Sequence, residues 1–134
     1  MTVAKSSTLH VTTEADVVKV RQGVRACAVE AKFSLVDQTK VVTAASELGR
    51  NLLIYGGGGE VRMELIKEGM RNGLRVIFQD HGPGIPDLEL AMKDGYTSGS
   101  GMGLGLGGAK RLVNEFEIIS NPSDGTRVTI TKWR

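Results

Sequence analysis

Three groups of residues in this chain have the types and the spacing of a nucleotide-binding site. Residues 80–86 read Asp-His-Gly-Pro-Gly-Ile-Pro, residues 99–107 carry a glycine at every second position, and Glu47 lies four residues before Asn51. An acidic side chain at the end of a strand can accept a hydrogen bond from the edge of a base, and successive glycines let backbone N–H groups approach phosphate oxygens. Glutamate and asparagine four apart on a helix share one face, where they can supply a base and a metal ligand.

The composition is that of an ordinary globular protein. The 134 residues are 40% hydrophobic and 24% charged, with a net charge of +2, which indicates neither a disordered chain nor a polyanionic partner such as nucleic acid. This length predicts a single domain over residues 1–134. The single cysteine, Cys27, and the two histidines, His10 and His81, exclude a disulfide framework and a Cys/His zinc site. The sequence has neither a signal peptide nor an apolar run long enough for a membrane span, so we expect a cytoplasmic protein with no membrane partner.

The elements that must position these residues begin with an edge strand and two helices. Residues 9–13 alternate apolar and polar side chains, which is typical of a half-buried strand. Each helix is predicted by a hydroxyl residue followed three positions later by aspartate, and then by apolar residues at helical spacing. The pairs are Thr13 with Asp16, opening a helix over 14–31, and Ser34 with Asp37, opening a helix that ends at glycines 56–59.

The rest of the chain predicts two hairpins that flank a third helix. The predicted elements are strands at 60–67 and 74–79 joined by residues 68–73 with a turn signal at Asn72-Gly73, a helix from 102 or 103 to 116, and strands at 117–120 and 126–133 joined around 121–125. Strands that are consecutive in hairpins, with helices grouped apart, favour an α+β two-layer sandwich. We therefore expect the helices to lie on one face of a mixed or antiparallel sheet.

Taken in order, four motifs resemble the Bergerat-type ATP site of the GHKL superfamily, which includes gyrase, Hsp90 and histidine kinases. They are Glu47-x-x-x-Asn51, Asp80-x-Gly82-x-Gly84, the glycines of 99–107, and Gly125-Thr126. Each motif alone is weak, but four in register are specific. Within the superfamily, the segments 46–51, 80–87 and 105–116 resemble the stand-alone anti-sigma-factor serine/threonine kinases, most closely the RsbT-type switch kinases.

This resemblance implies a role for each matching residue. Asp80 would accept a hydrogen bond from the adenine amino group, which favours ATP over GTP, and Thr126 would assist that contact. Asn51 would bind Mg²⁺, and Glu47 would be the catalytic base. An ATP lid is expected at about 82–101. The nucleotide contacts implied are Asn51, Asp80, Gly82, Gly84, Ile85, Gly99, Ser100, Gly101, Met102, Gly103, Leu104, Gly105 and Thr126.

Two other nucleotide motifs are excluded, and one departure from the family pattern is present. Residues 103–108 fit a Gly-x-Gly-x-x-Gly fingerprint, but no strand precedes them and no acidic residue follows at the required distance. The chain also has no P-loop sequence. Related kinases carry an arginine in the lid, whereas residues 97–100 here are Thr-Ser-Gly-Ser; Lys93, Lys110 or Arg111 could take its place.

The function implied by the resemblance is transfer of the ATP γ-phosphate to a serine or threonine. The substrate would be a STAS-domain antagonist or scaffold of a bacterial stress-signalling complex, the stressosome, and the released kinase would activate a PP2C-type phosphatase. One alternative is an ATP-binding anti-sigma or partner-switch module with little catalytic activity. Another is a histidine kinase or gyrase-like ATPase domain, which would need further segments for which we expect no room in 134 residues.

Overall fold

The computed structural model describes residues 1–82, 106–121 and 123–134, which form three helices and five strands. The elements are β1 (Thr2–Val11), α1 (Glu14–Glu30), α2 (Leu35–Ile54), β2 (Gly59–Glu68), β3 (Arg71–Asp80), α3 (Leu106–Arg111), β4 (Glu115–Asn121) and β5 (Gly125–Trp133). None of the helices in these ranges combines the length and the apolar character that crossing a bilayer requires.

The strands form one sheet in the order β1-β2-β3-β5-β4, and every neighbouring pair is antiparallel. The helices cover one face. Met63, Val76 and Ile130 are neighbours across three strands of that face and are all buried. Gly23 of α1 lies against Met63, where a Cβ would come within 2.9 Å of its Sδ. The predicted α+β class is confirmed, with the sheet antiparallel.

The predicted helix starts are confirmed by their capping hydrogen bonds. The backbone N–H of Asp16 donates to Thr13 Oγ1 at 3.3 Å, and the backbone N–H of Thr13 donates back to Asp16 Oδ2 at 3.1 Å. At the second helix, the backbone N–H of Asp37 donates to Ser34 Oγ at 3.1 Å. Asp37 also lies 3.4 Å from Lys132 Nζ of β5, so the start of α2 is tied to the sheet.

The predicted β2–β3 hairpin is confirmed, but its turn does not lie at Asn72-Gly73. The β2–β3 turn lies at Gly69-Met70, where Gly69 has φ 61, and both Asn72 and Gly73 pair with β2 inside the hairpin. Glycine at the first central position is typical of a two-residue type II′ turn. Gly73 instead provides space, because a Cβ there would come within 2.6 Å of the Trp133 ring.

Two other boundaries also differ from the expectation. β1 begins at Thr2 rather than at residue 9, because ladder hydrogen bonds to β2 do not depend on apolar side chains. The third helix ends at Arg111 rather than at Phe116, which lies in β4 opposite Ile130. Pairing with β5 therefore overrides the helix propensity of this segment. Cys27 of α1 is half-buried at the edge of the core, and burial raises the pKa of its thiol.

Candidate nucleotide-binding site

Asp80 is the buried acidic residue at the centre of the site. It is the last residue of β3, and its side chain faces the helices with only 8% of the residue exposed. Its Oδ1 accepts hydrogen bonds from the backbone N–H groups of Thr126 and Gly82, each at 3.0 Å. Both hydrogen bonds that the described residues donate to this carboxylate are accepted by Oδ1. The carboxylate is thus held in one orientation, with Oδ2 left as the acceptor for a ligand.

Three glycines surround the Asp80 side chain. A Cβ on Gly56 would come within 2.5 Å of Asp80 Cβ and Cγ, and one on Gly125 within 2.7 Å of Oδ1. Gly125 also has φ 85, which a side chain rarely adopts. A Cβ on Gly82 would lie 3.0 Å from the Gly56 backbone. Glycine is therefore needed at these three positions, because a side chain would collide with the carboxylate or with the backbone beside it. The absence of side chains lets backbone N–H groups approach the carboxylate.

Thr126 is the second site residue that the structure places at Asp80. It is buried on β5, and its Oγ1 lies 3.0 Å from Ser120 Oγ on the neighbouring strand. Ser120 and Thr126 are direct cross-strand partners. Sequence reasoning missed Ser120, because a serine at the end of a predicted strand carries no signal of its own.

Asn51 has the most unusual environment in the site. Both its Oδ1 and its Nδ2 are buried, and neither has a hydrogen-bond partner among the described residues. An unsatisfied buried polar group costs about 1–3 kcal/mol, so such groups are rare and indicate a missing partner. Amide oxygen is among the ligand types that Mg²⁺ takes from proteins. The buried Oδ1 of Asn51 therefore has the chemistry of a Mg²⁺ ligand.

The end of α2 connects Asn51 to Asp80. The backbone carbonyl of Asn51 accepts hydrogen bonds from Tyr55 N at 2.9 Å and from Gly56 N at 3.3 Å. Gly56 then lies directly against the Asp80 side chain. The sequence predicts only a helix end at the run of four glycines after α2. The first of these glycines in fact brings the two motifs together.

Glu47 lies one turn before Asn51 on α2. Its side chain is 40% exposed, and its Oε1 is 4.0 Å from Arg50 Nη1. The guanidinium of Arg50, an exposed residue, lies beside this carboxylate. An ion pair this exposed contributes little to stability. The carboxylate therefore remains open to solvent and to a partner.

Most of the glycine-rich part of the predicted site lies outside the described residues. The residues concerned are Gly84, Ile85, Lys93, Gly99, Ser100, Gly101, Met102, Gly103, Leu104 and Gly105. The described chain resumes at Leu106, the first residue of α3, which is buried together with Ala109. Lys110 and Arg111 of this helix are exposed.

Comparison with known proteins shows which family has a similar sequence. Residues 36–134 match the family described as histidine kinase-, DNA gyrase B-, and HSP90-like ATPase. Over 127 residues the chain is 42% identical to the serine/threonine-protein kinase RsbT of Bacillus subtilis (strain 168). The aligned region covers 95% of this chain and 96% of that protein. It is 29% identical over 117 residues to an anti-sigma F factor of Thermoanaerobacter sp. (strain X514), covering 84% and 82% of the two chains. The anti-sigma F factor of Clostridium novyi (strain NT) is 30% identical over 106 residues.

The chain belongs to the histidine kinase-, DNA gyrase B- and HSP90-like ATPase family, the GHKL superfamily, and its fold is the one that the motifs predicted for that class. Within this class it belongs with the anti-sigma-factor serine/threonine kinases of the RsbT type. The predicted enzyme class, an ATP-dependent serine/threonine-protein kinase, is thereby confirmed.

Proposed function

We propose that this kinase transfers the γ-phosphate of ATP to a serine or threonine of a STAS-domain antagonist or scaffold protein in a partner-switching pathway. Released from that partner, it would activate a PP2C-type phosphatase. The observation that carries the proposal is the buried amide of Asn51 without a partner among the described residues, one helical turn after an accessible Glu47 and joined through Gly56 to Asp80. Relatives named as a serine/threonine-protein kinase and as anti-sigma F factors support a partner-switching role.

In this proposal Asp80 selects the base. Its Oδ2 accepts a hydrogen bond from the adenine amino group, while Oδ1 is held by the backbone N–H groups of Thr126 and Gly82. A hydrogen bond to a charged group contributes about 1.5–3 kcal/mol, which corresponds to roughly tenfold to hundredfold in affinity. Guanine presents a carbonyl oxygen at the same position and would be repelled. ATP is therefore preferred to GTP.

Asn51 is the residue that would hold Mg²⁺, through its buried Oδ1. When bound, such an ion supplies neutralisation of the charge on the phosphates. The expected contacts at Gly84, Ile85 and residues 99–105 lie outside the described residues and stay predictions. Their glycines would present backbone N–H groups to the phosphates.

Glu47 is proposed as the general base of the transfer. A partner's serine or threonine oxygen forms a bond to the γ-phosphorus, the bond from that phosphorus to the β–γ bridging oxygen breaks, and ADP leaves. The hydroxyl proton passes to the Glu47 carboxylate. The 40% exposure of this side chain suits a substrate that is itself a protein, because the hydroxyl must reach the carboxylate from outside.

A second candidate is an ATP-binding anti-sigma or partner-switch module with little catalytic activity. The anti-sigma F factor relatives, at 29% and 30% identity, favour it. Both candidates take residues 1–134 as one domain that works in the cytoplasm, with an ATP lid at about 82–101 and with neither nucleic acid nor membrane as partner. They differ in whether phosphate reaches the partner.

Incubation of the purified protein with Mg²⁺, ATP labelled at the γ-phosphate and a STAS-domain antagonist from the same organism tests the proposal. We expect label on one serine or threonine of the antagonist, stable to acid and labile to alkali. ATP binding without any transfer would support the passive module. Acid-labile phosphate would instead indicate histidine as the acceptor.

A further inference from the structure

Gln79 approaches the candidate site from the opposite face of the sheet. It directly precedes Asp80 on β3, so its side chain lies on the face that the helices do not cover. Its Nε2 donates hydrogen bonds to the backbone carbonyls of Asp80, at 2.6 Å, and of Thr126, at 3.4 Å. Its Oε1 accepts a hydrogen bond from Arg127 Nε at 2.8 Å.

The Arg127 contact fixes which way the Gln79 amide points. A guanidinium group has donors and no acceptor, so the amide oxygen must face Arg127 and the amide N–H group must face the two carbonyls. Gln79 and Arg127 are also the last cross-strand pair between β3 and β5. The Gln79 side chain therefore adds hydrogen bonds between β3 and β5 at the point where their backbone pairing ends.

Gln79 joins Asp80 to Thr126, the two residues that face the base in the proposed function. On the helix-covered side, the Thr126 N–H group donates to Asp80 Oδ1 at 3.0 Å. On the other side, Gln79 Nε2 bridges the carbonyls of the same two residues. The same two residues are therefore held together from both faces of the sheet, so the amide of Gln79 restrains the backbone from which the Asp80 carboxylate projects.

We propose that Gln79 is a positioning residue for adenine recognition, which acts by holding the Asp80 and Thr126 backbone together. The inference rests on the proposed function and deepens it, because it adds a determinant of base specificity to the same site. Gln79 touches neither the base nor the phosphates in this proposal. Its loss should therefore weaken nucleotide selection and leave the transfer step intact.

The test compares Gln79→Glu with the matched control Gln22→Glu on the exposed side of α1. Glutamate keeps an acceptor for Arg127 but places a carboxylate against two carbonyl oxygens. The probes are Mg·ATP and purine riboside triphosphate, which lacks the 6-amino group. We expect the parent and Gln22→Glu to prefer ATP at least tenfold, and Gln79→Glu to bind ATP about tenfold more weakly with its preference reduced to less than about threefold. At saturating ATP, kcat for phosphotransfer should stay within about twofold of the parent.

Two outcomes separate this inference from the proposed function. A Gln79→Glu protein that keeps the parent's preference for ATP overturns the role of Gln79 alone. A parent protein that binds both nucleotides equally overturns the adenine role of Asp80 and this inference with it. If Gln79→Glu does not fold, Gln79→Met, apolar and of the same length, carries the same expectation.

Discussion

The backbone N–H of Thr126 donates a 3.0 Å hydrogen bond to Oδ1 of Asp80, although the two residues lie 46 positions apart. The bond joins the end of β3 to the start of β5 and leaves one carboxylate oxygen for a ligand. Because Gly82 donates to the same Oδ1, the carboxylate cannot turn away from this position without breaking two hydrogen bonds.

This orientation predicts the effect of Asp80→Asn. The amide oxygen will remain on the Thr126 and Gly82 donors, so the amide nitrogen will replace Oδ2 and face the adenine amino group, donor against donor. We expect ATP to bind at least tenfold more weakly, as measured by titration with a fluorescent ATP analogue. Asp124→Asn, which removes the same charge from an exposed side chain in the β4–β5 turn, serves as the control and should bind ATP like the parent. Equal binding by Asp80→Asn and the parent would contradict the adenine assignment.

The residues that sequence alone could predict are those with a local signature. Asp80 lies before two spaced glycines, and Glu47 and Asn51 share a helix whose cap at Ser34 is explicit in the sequence. These patterns extend over a few residues, so no tertiary information was needed to find them. The α+β class followed from the order of such elements.

The remaining features depend on contacts between distant segments. Ser120 meets Thr126 only because β4 pairs with β5, and Gln79 reaches the Thr126 carbonyl only across the β3–β5 ladder. The good helix formers before Phe116 predict a helix there, yet strand pairing with β5 decides its conformation. The Asn-Gly sequence at Gly73 is typical of a turn, but the glycine is explained by the Trp133 ring, which occupies the space that a Cβ would need.

Asn51→Leu should separate nucleotide binding from stability. Leucine has the same branching but no polar atoms, so it removes two buried groups that have no partner among the described residues. Without nucleotide, we expect the free energy of unfolding to be unchanged or raised by about 1–3 kcal/mol. The increase in melting temperature caused by Mg·ATP should be lost. Denaturant unfolding and thermal melts with and without Mg·ATP measure both effects.

The control for this prediction is Leu52→Ala, which removes a buried core side chain next to Asn51. It should destabilise the protein by about 2–5 kcal/mol while Mg·ATP still raises the melting temperature. A large loss of stability in nucleotide-free Asn51→Leu would show that the amide has a structural partner, and would argue against a ligand role.

Gly56→Ala should disrupt the site through Asp80. The new Cβ would come within 2.5 Å of Asp80 Cβ and Cγ, so the carboxylate must move away from Thr126 and Gly82. We expect ATP affinity to fall at least tenfold. In Gly57→Ala the Cβ meets no atom within 4 Å, although φ 74 strains the backbone by about 1–2 kcal/mol. That variant should be less stable and still bind ATP like the parent. The reverse pattern would contradict the steric argument.

The capping box of α1 predicts a pH dependence of stability. Hydrogen bonds from Thr12 and Thr13, led by the Thr12 backbone N–H, lower the pKa of Asp16 below its ordinary value of 3.8. A carboxyl group with a lowered pKa in the folded state stabilises the protein above its unfolded pKa, and this contribution is lost as the pH falls through the folded pKa. Asp16→Asn should therefore be less stable than the parent near neutral pH, and the difference should shrink below pH 3.8. Urea unfolding over a pH series measures it, and a difference that does not depend on pH would show that the charge of Asp16 is not the cause.

Glu47→Gln should separate nucleotide binding from phosphotransfer. The variant keeps the size of the side chain and its place one turn before Asn51, but an amide cannot take the proton of the attacking hydroxyl. We expect ATP binding within about twofold of the parent and transfer to a STAS-domain partner lower by about 10²–10⁴, the usual contribution of a general base. Glu117→Gln, an exposed change of the same type on β4, should transfer phosphate at the parent rate. Single-turnover assays with enzyme in excess over labelled ATP measure the chemical step apart from product release. If Glu47→Gln transfers phosphate as fast as Glu117→Gln, Glu47 is a surface carboxylate paired with Arg50, and another group must accept the proton.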